Sequence, residues 1–255
     1  MAVHEAATTG FGRAPDAYER GRPGYPAEAV AWLAEQLDLG VGRRVLDVAA
    51  GTGKLTRPLT STGAEVVAVE PVGAMRAVLE RLVPNARALE GTAEALPVAD
   101  AAFDGVVAAQ AFHWFEGPVA LAEFHRVLRP GGRLGLVWNR WLPADPLHQA
   151  ITQIVEPHRG AAPAHRSGRW RDALDCSPLF AATAEQRVGF AQVLDAAGLV
   201  DRVASISFVA ALGEAERRDV LDRVLALTPD AGRPVRLGYV TELFVYVRRS
   251  ARLAR

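Results

Sequence analysis

The chain is poor in the residues that build disulfide frameworks and cysteine-rich metal sites. One of its 255 residues is a cysteine, Cys176, so no internal disulfide can form and a cysteine-rich metal site is excluded. Four of the histidines, His125, His148, His158 and His165, are too scattered to suggest a metal site. We therefore expect no bound metal.

Net charge and long apolar runs are also lacking. Basic and acidic residues balance at 29 each, so the chain lacks the positive surface with which nucleic-acid binders contact phosphates. No apolar run approaches the roughly 18 residues of a membrane span, and the first ten residues lack the apolar stretch of a signal peptide. These absences predict a cytoplasmic protein without nucleic-acid or membrane partners, whose basic tail, residues 248–255, is a solvated end.

Apolar residues make up half of the chain, and they fall into a regular arrangement. Short apolar runs alternate with amphipathic stretches, which is typical of strands alternating with helices around a largely parallel sheet. We predict strands at residues 44–48, 65–70, 86–90, 103–109, 133–138, 179–188 and 240–247, and helices at 26–39, 54–62, 74–82, 118–128, 147–155, 191–197 and 215–226. Residues 203–209 also have strand-like composition and compete for the sixth place, and the order of the last two strands stays open.

This pattern predicts a single domain built over residues 1–255. We divide it into an N-terminal lead segment and helix, a cofactor-binding core, cap insertions that shape a substrate pocket, and a last strand. These parts are residues 1–42, 43–139, 140–178 with 189–235, and 240–248.

A glycine-containing turn follows the first strand. Gly51 and Gly53 let the backbone turn tightly and approach a ligand at the start of the next helix, which predicts a nucleotide-like cofactor. The P-loop motif would need a glycine where Val48 stands and a hydroxyl where Leu55 stands, so it is excluded.

Asp47 distinguishes between the two cofactor classes that remain, a dinucleotide and a cofactor that carries a sulfonium. The dinucleotide fingerprint G-x-G-x-x-G is matched at Gly51 and Gly53 but has Thr56 in place of its third glycine. A carboxylate at the end of the first strand repels a pyrophosphate and suits a cofactor that carries an ammonium and a sulfonium. Glu70, at the end of the second strand, can accept both hydroxyls of a ribose in either class.

This stretch resembles motif I of class I methyltransferases, D-x-G-x-G-x-G, with Ala49 in the place of the first glycine. We expect an alanine there to need only ordinary backbone dihedrals. Residues 124–134 resemble the small-molecule methyltransferase family often called type 11, and Phe11, Gly12 and residues 17–26 resemble a branch related to trans-aconitate methyltransferase. The resemblance implies a Rossmann-like, seven-stranded, mostly parallel sheet with an antiparallel last strand, helices on both faces, a helical cap, and S-adenosyl-L-methionine as cofactor.

The resemblance also assigns residues to the cofactor. The predicted cofactor-binding residues are Tyr18, Arg22, Asp47, Ala49, Gly51, Gly53, Glu70, Pro71, Met75, Ala93, Glu94 and Gln110. Arg22 would pair with the donor's carboxylate while Tyr18 closes the pocket; an ordinary surface arginine is the alternative. Ala93 and Glu94 would contact the adenine edge, and Met75 would lie under the adenine or belong to the core.

Aromatic residues and a histidine follow the fourth strand and are predicted to face a methyl acceptor. Phe112 and Trp114 would line the substrate pocket and shield a sulfonium, or else belong to the core. His113 would act as a general base for a hydroxyl acceptor or orient the substrate, whereas a carboxylate acceptor needs no base.

Together these features predict in-line methyl transfer to a small-molecule acceptor by a monomer or homodimer. A nucleic-acid methyltransferase would carry a polar-Pro-Pro-aromatic motif after the fourth strand, where this chain has Gln-Ala-Phe-His. Two alternatives stay open: an NAD(P)-dependent oxidoreductase, and a non-methylating protein that binds the cofactor on the same fold.

Overall fold

The structure, a computed structural model, describes residues 15–160, 167–228 and 233–250. Phe11, Gly12, His165 and residues 251–255 of the basic tail, for which the sequence makes predictions, lie outside them. The strands are β1 (Arg44–Val48), β2 (Glu65–Val69), β3 (Arg87–Leu89), β4 (Phe103–Ala109), β5 (Leu128–Trp141), β6 (Phe180–Leu194) and β7 (Val235–Arg248). The α-helices are α1 (Pro15–Gly21), α2 (Ala27–Gln36), α3 (Thr56–Thr60), α4 (Gly73–Leu82), α5 (Gly117–Val127), α6 (Pro146–Val155), α7 (Arg169–Asp175), α8 (Ala196–Ala204), α9 (Ser207–Ala210) and α10 (Glu214–Leu225).

The sheet of the described residues has the strand order β3-β2-β1-β4-β5-β7-β6. Its pairings are parallel except those of β7, which runs antiparallel to both β5 and β6. The predicted fold class is confirmed, and β7 proves to lie between β5 and β6. Strand order reverses between β1 and β4, and in open sheets of this kind ligands bind beyond the carboxyl ends of the strands at such a reversal.

Apolar layers cover both faces of the sheet. Leu46 and Val106 point into the layer that contains α5, whereas Val45 and Val107 point into the layer that contains α2. Because both faces are buried, the central strands are apolar at nearly every position. This is why β4 could be predicted as one continuous apolar run.

A third apolar cluster joins α6, α8, α9 and α10 to the first residues of β7. β7 begins at Val235 rather than at residue 240, and β6 continues to Leu194. The two strands therefore extend beyond the parallel part of the sheet, and the four helices pack against this extension. We call this unit the cap. None of the helices in the described parts of the chain is long and apolar enough to cross a membrane.

Two predicted elements in this region are wrong. Residues 191–194 belong to β6 rather than to a helix, and α8 begins after Asp195, whose side chain accepts the Gly198 N–H at 2.7 Å. Residues 203–209 end α8 and form α9 rather than a strand. Their β-branched side chains are buried between cap helices, as Val203 and Val209 show at 0% exposure, so burial rather than strand formation explains the composition. The helix predicted at residues 54–62 is also shorter, spanning Thr56–Thr60.

Candidate functional site

A non-glycine residue with positive φ follows each of the two strands that flank the reversal of strand order. Ala49 after β1 has φ 55° and Gln110 after β4 has φ 59°. The expectation that Ala49 keeps ordinary dihedrals is therefore wrong. An alanine in this left-handed conformation costs about 1–2 kcal/mol. Strain of this kind is typical of ligand-binding and catalytic loops.

Gly51 and Gly53 serve different purposes in the loop after β1. Both have positive φ, 60° and 85°. A Cβ on Gly53 would lie 2.9 Å from Val83 Cγ2 and 3.2 Å from Leu79 Cγ, so this glycine allows the loop to pack closely on α4. A Cβ on Gly51 would meet only Met75 Cε, at 3.7 Å. Gly51 thus leaves open space along the loop, with the buried Met75 beneath it.

Asp47 is a buried carboxylate with one unused oxygen. Its side chain is 1% exposed, its Oδ2 accepts the Thr56 hydroxyl at 2.6 Å, and its Oδ1 has no hydrogen-bond partner. Burial raises the pKa of Asp47 to about 7, while the Thr56 hydroxyl works in the opposite direction. Since an unpaired buried carboxylate oxygen is costly, the site fits a cationic group of a ligand.

Glu70 ties the end of β2 to the same loop. Its Oε2 accepts the Gly51 N–H and its Oε1 accepts the Val72 N–H, both at 2.8 Å. Burial raises the pKa of Glu70, and these two N–H groups lower it. Each carboxylate oxygen keeps a second lone pair, so Glu70 can hold the loop and still accept from hydroxyls of a ligand.

Helix α1 is fastened to this loop by Glu19, which sequence analysis did not select. The Glu19 carboxylate accepts the Thr52 hydroxyl at 2.6 Å and Arg57 Nη2 at 3.0 Å, and its carbonyl accepts Lys54 Nζ at 2.7 Å. Because these partners lie more than 30 positions further along the chain, no local pattern distinguishes Glu19 from an ordinary helix acid. The fastening places Tyr18 beside the loop.

A cavity of about 700 Å³ opens beside the carboxyl ends of β4 and β5, between α1 and the cap. This volume is within the range of about 300–1,000 Å³ usual for small-molecule sites. Residues that line it include Tyr18, Arg22, Gln110, His113, Trp114, Trp141, His148, Glu156, Arg202 and Phe208. We call this cavity the acceptor pocket, after the sequence-based expectation that a methyl acceptor binds near Trp114.

Arg22 lies at the pocket wall and is held by neutral groups. Its Nε donates to the Ser205 hydroxyl at 2.9 Å, its Nη2 donates to the Ser205 carbonyl at 3.0 Å, and the guanidinium lies 5.2 Å from the centre of the Tyr18 ring. Burial, and after it the Arg202 guanidinium, lower the pKa of Arg22 to about 10. The structure therefore keeps a positive charge here, as expected for an anion site.

His113 faces the acceptor pocket, but its surroundings favour a donor rather than a base. Burial lowers the pKa of His113 to about 4, followed by the effect of Arg22. The neutral ring accepts the Trp138 Nε1–H at its Nδ1, at 3.3 Å, which places the ring proton on Nε2. Of the two roles predicted from sequence, substrate orientation suits this arrangement better than proton abstraction.

The two aromatic residues predicted to line the substrate pocket differ in burial. Phe112 is 1% exposed and packs with Phe115 and Phe124, so it belongs to the core, which is one of its two predicted places, whereas Trp114 lines the acceptor pocket. Phe112 is buried because the short 3₁₀ turn after β4 directs it into the core layer of α5.

Four further residues lie near the strand ends. Pro71 follows Glu70 directly, and Ala93 is 3% exposed in the core. The Glu94 carboxylate accepts the backbone N–H of the residue before α5 at 3.1 Å, and Gln110 Nε2 donates to the Asn139 carbonyl at 3.2 Å.

Comparison with known proteins identifies the family. Residues 46–136 match the family model described as "Methyltransferase domain", of type 11. A protein of Mycobacterium bovis named "Uncharacterized methyltransferase Mb3374" is 42% identical over 217 residues, which cover 85% of this chain and 84% of the relative.

Two solved structures share the fold at low sequence identity. A geranyl diphosphate methyltransferase in complex with GPP and sinefungin has a TM-score of 0.51 and 16% identity, over 88% of this chain and 78% of that one. The [4+2]-cyclase SpnF has a TM-score of 0.55 and 18% identity, over 89% of this chain and 84% of that one. These likenesses concern the fold alone. The identity to the mycobacterial relative, together with the class I fold and the matched domain, shows that this chain belongs to the methyltransferase family.

Proposed function

We propose that the chain transfers a methyl group from S-adenosylmethionine to a small-molecule acceptor. The observation that carries this proposal is the unpartnered Oδ1 of buried Asp47, placed next to a loop that Gly51 leaves open. An ammonium group supplies the cation that this oxygen lacks, whereas the pyrophosphate of a dinucleotide would be repelled. Sinefungin, named with the geranyl diphosphate methyltransferase, is an analogue of the same cofactor, which supports the choice.

Three residues near the loop after β1, together with Arg22, would hold the cofactor. Asp47 would accept from its ammonium, Glu70 would accept from the ribose hydroxyls, and the open backbone at Gly51 would allow close approach. Arg22 would face its carboxylate. S-adenosylmethionine, when bound, supplies a methyl group attached to a sulfonium.

The chain's own contribution to transfer is alignment and exclusion of water. The acceptor pocket meets the cofactor region at Tyr18 and Gln110, so an acceptor bound there lies beside the loop after β1. Trp114 supplies an aromatic wall, and His113 supplies a ring N–H that can orient an oxygen of the acceptor. Holding the reactants in line accounts for much of the acceleration in such displacements. We also propose that residues 1–255 act as one domain, with the cap shaping the acceptor pocket.

Affinity for S-adenosylhomocysteine, the product form of the cofactor, is expected to fall as the pH is lowered below about 7. Burial raises the pKa of Asp47 to about 7, so a growing fraction of Asp47 is protonated at lower pH and must lose its proton to pair with the ammonium. At pH 6 the dissociation constant should be about tenfold larger than on the plateau reached at about pH 8. Isothermal titration calorimetry across this range, in buffers of different ionisation enthalpy, measures both the affinity and the proton released.

Asp47→Asn is the control for this pH dependence. The asparagine variant should bind more weakly than the parent above pH 7 and should lose the slope between pH 6 and 7. A parent protein whose affinity is flat across this range, with no proton released, would contradict the role given to Asp47.

Gly21→Ala is expected to weaken cofactor binding about tenfold or more without unfolding the sheet. A Cβ at Gly21 would lie 2.4 Å from backbone atoms of Asp201 and Arg202, so α1 must move away from α8 and carry Tyr18 with it. Gly24→Ala, in the same segment, meets nothing within 4 Å and should bind like the parent. Equal affinity in both variants would show that the position of α1 does not matter for binding.

The acceptor class is tested by transfer of a labelled methyl group. Purified chain and labelled S-adenosylmethionine are incubated with a small-molecule extract, with DNA and with RNA, and the label is followed by chromatography. Label in small molecules supports the proposal, and label in nucleic acid contradicts it. Cofactor binding without any methylated product across a broad acceptor panel would favour a non-methylating protein on this fold.

A further inference from the structure

Several buried polar atoms in the wall of the acceptor pocket lack hydrogen-bond partners. Trp141 Nε1, Arg202 Nη1 and the two ring nitrogens of His148 are among them. All three residues line the pocket. The Trp141 and His148 rings are stacked with their centres 4.5 Å apart, and the Arg202 guanidinium lies 5.0 Å from the centre of the Trp141 ring. The unsatisfied atoms therefore form one cluster rather than isolated defects.

Burying such a cluster without hydrogen-bond partners is costly. Each unsatisfied buried polar group costs about 1–3 kcal/mol, and the cost is larger for a charged group. Arg202 is 5% exposed, yet its Nε donates to the neutral Tyr239 hydroxyl at 2.9 Å and the rest of the guanidinium rests on aromatic rings. A buried arginine is ordinarily paired with an anion.

No carboxylate in the described parts of the chain supplies that anion. Asp201, next in sequence, is paired with Arg20 at 2.7 Å on the outer side. Glu156, an acidic residue of the pocket wall, accepts Arg159 Nε at 3.0 Å. Arg22, the neighbouring cation, is bonded to Ser205, which is neutral. Asp145, 3.8 Å from His148 Nδ1, already accepts three backbone N–H groups. Among the described residues, Arg202 therefore has no carboxylate as an ion-pair partner.

We propose that Trp141, His148 and Arg202 form a subsite that binds a negatively charged oxygen group of the acceptor and so determines its specificity. The inference rests on the proposed function and deepens it. Trp141 Nε1–H and Arg202 Nη1 are donors. Burial lowers the pKa of His148 to about 4, so its neutral ring has one N–H to donate. A carboxylate, sulfonate or phosphate ester gives each of the three residues an acceptor for a donated hydrogen. Arg202 Nη1 can donate to such a group while Nε keeps its hydrogen bond to the Tyr239 hydroxyl. A neutral apolar acceptor would leave the donors unpaired and is disfavoured.

The subsite is tested by binding to the full chain saturated with S-adenosylhomocysteine. The probes are benzoate, benzenesulfonate and phenyl phosphate, with benzamide as the neutral counterpart, each titrated by calorimetry. We expect at least one of the three anions to bind about tenfold or more tightly than benzamide. Equal binding of all four probes, or binding of none of them, overturns the inference.

Variants assign the preference to the subsite. Arg202→Met should abolish it, and Arg202→Lys, which keeps the charge and guards against a folding defect, should retain part of it. Arg140→Met is the matched control, because Arg140 lines the same pocket but is already paired with Glu242 at 3.2 Å, and it should leave the preference intact. A preference that persists in Arg202→Met contradicts the assignment.

Failure of this inference can be told from failure of the proposed function. S-adenosylhomocysteine binding is measured first. If it does not bind, the proposed function is contradicted, and the anions are then titrated into the chain without S-adenosylhomocysteine. S-adenosylhomocysteine binding without a preference for any anion overturns only the subsite.

Discussion

Glu70→Ala is expected to weaken S-adenosylhomocysteine binding by a factor of about 100 or more. The alanine removes both oxygens that would accept the ribose hydroxyls, and hydrogen bonds to a charged acceptor are worth about 1.5–3 kcal/mol each. It also frees the N–H groups of Gly51 and Val72, which Glu70 holds at 2.8 Å, so the loop after β1 loses its anchor. Calorimetric titration measures the loss.

Two variants separate this effect from a general loss of structure. Glu70→Gln keeps one acceptor oxygen and should lose about tenfold in affinity. Glu65→Ala changes a glutamate at the opposite end of β2, where it forms an exposed ion pair with Arg44 at 2.9 Å, and should bind like the parent. If Glu70→Ala binds as tightly as Glu65→Ala, the ribose does not lie at Glu70.

Gly53→Ala is expected to lower the free energy of unfolding by about 3 kcal/mol. A left-handed alanine costs about 1–2 kcal/mol, and the overlap of its Cβ with Val83 and Leu79 adds about 1–3 kcal/mol. Gly42→Ala is the matched control, because Gly42 has nearly the same φ, 82° against 85°, but nothing within 4 Å of the added Cβ. It should lose only about 1–2 kcal/mol.

Urea unfolding of the two variants gives the comparison. Both variants carry the cost of a left-handed alanine. The difference between their losses in the free energy of unfolding therefore measures the close packing of the loop on α4. Equal losses in Gly53→Ala and Gly42→Ala would show that α4 moves aside freely and that this packing does not constrain the loop.

Sequence patterns located the central sheet because a parallel sheet is buried on both faces. β1 and β4 are largely apolar runs with turn signals at their ends, and the structure gives them the predicted bounds. The cap was harder to predict because its residues are also buried. Residues 203–209 carry strand-like composition, yet they pack between helices, and composition does not distinguish the two.

The candidate site also has a part that local sequence predicts and a part that it does not. Asp47 and Glu70 could be selected because each ends a strand beside the reversal of strand order, a place fixed by local sequence. Glu19, Trp141 and Arg202 could not, because their roles depend on partners far along the chain, as in the bond from Arg202 to Tyr239, 37 positions away. Ala49 shows a further limit, since its identity gave no sign of its left-handed backbone.

The central claim is that the loop after β1 binds a methyl donor rather than a dinucleotide. Competitive calorimetry with S-adenosylhomocysteine and NADH on the full chain tests it most directly. We expect S-adenosylhomocysteine to bind with a stoichiometry of one per chain and NADH neither to bind nor to displace it. Tight binding of NADH with no binding of S-adenosylhomocysteine would contradict the account.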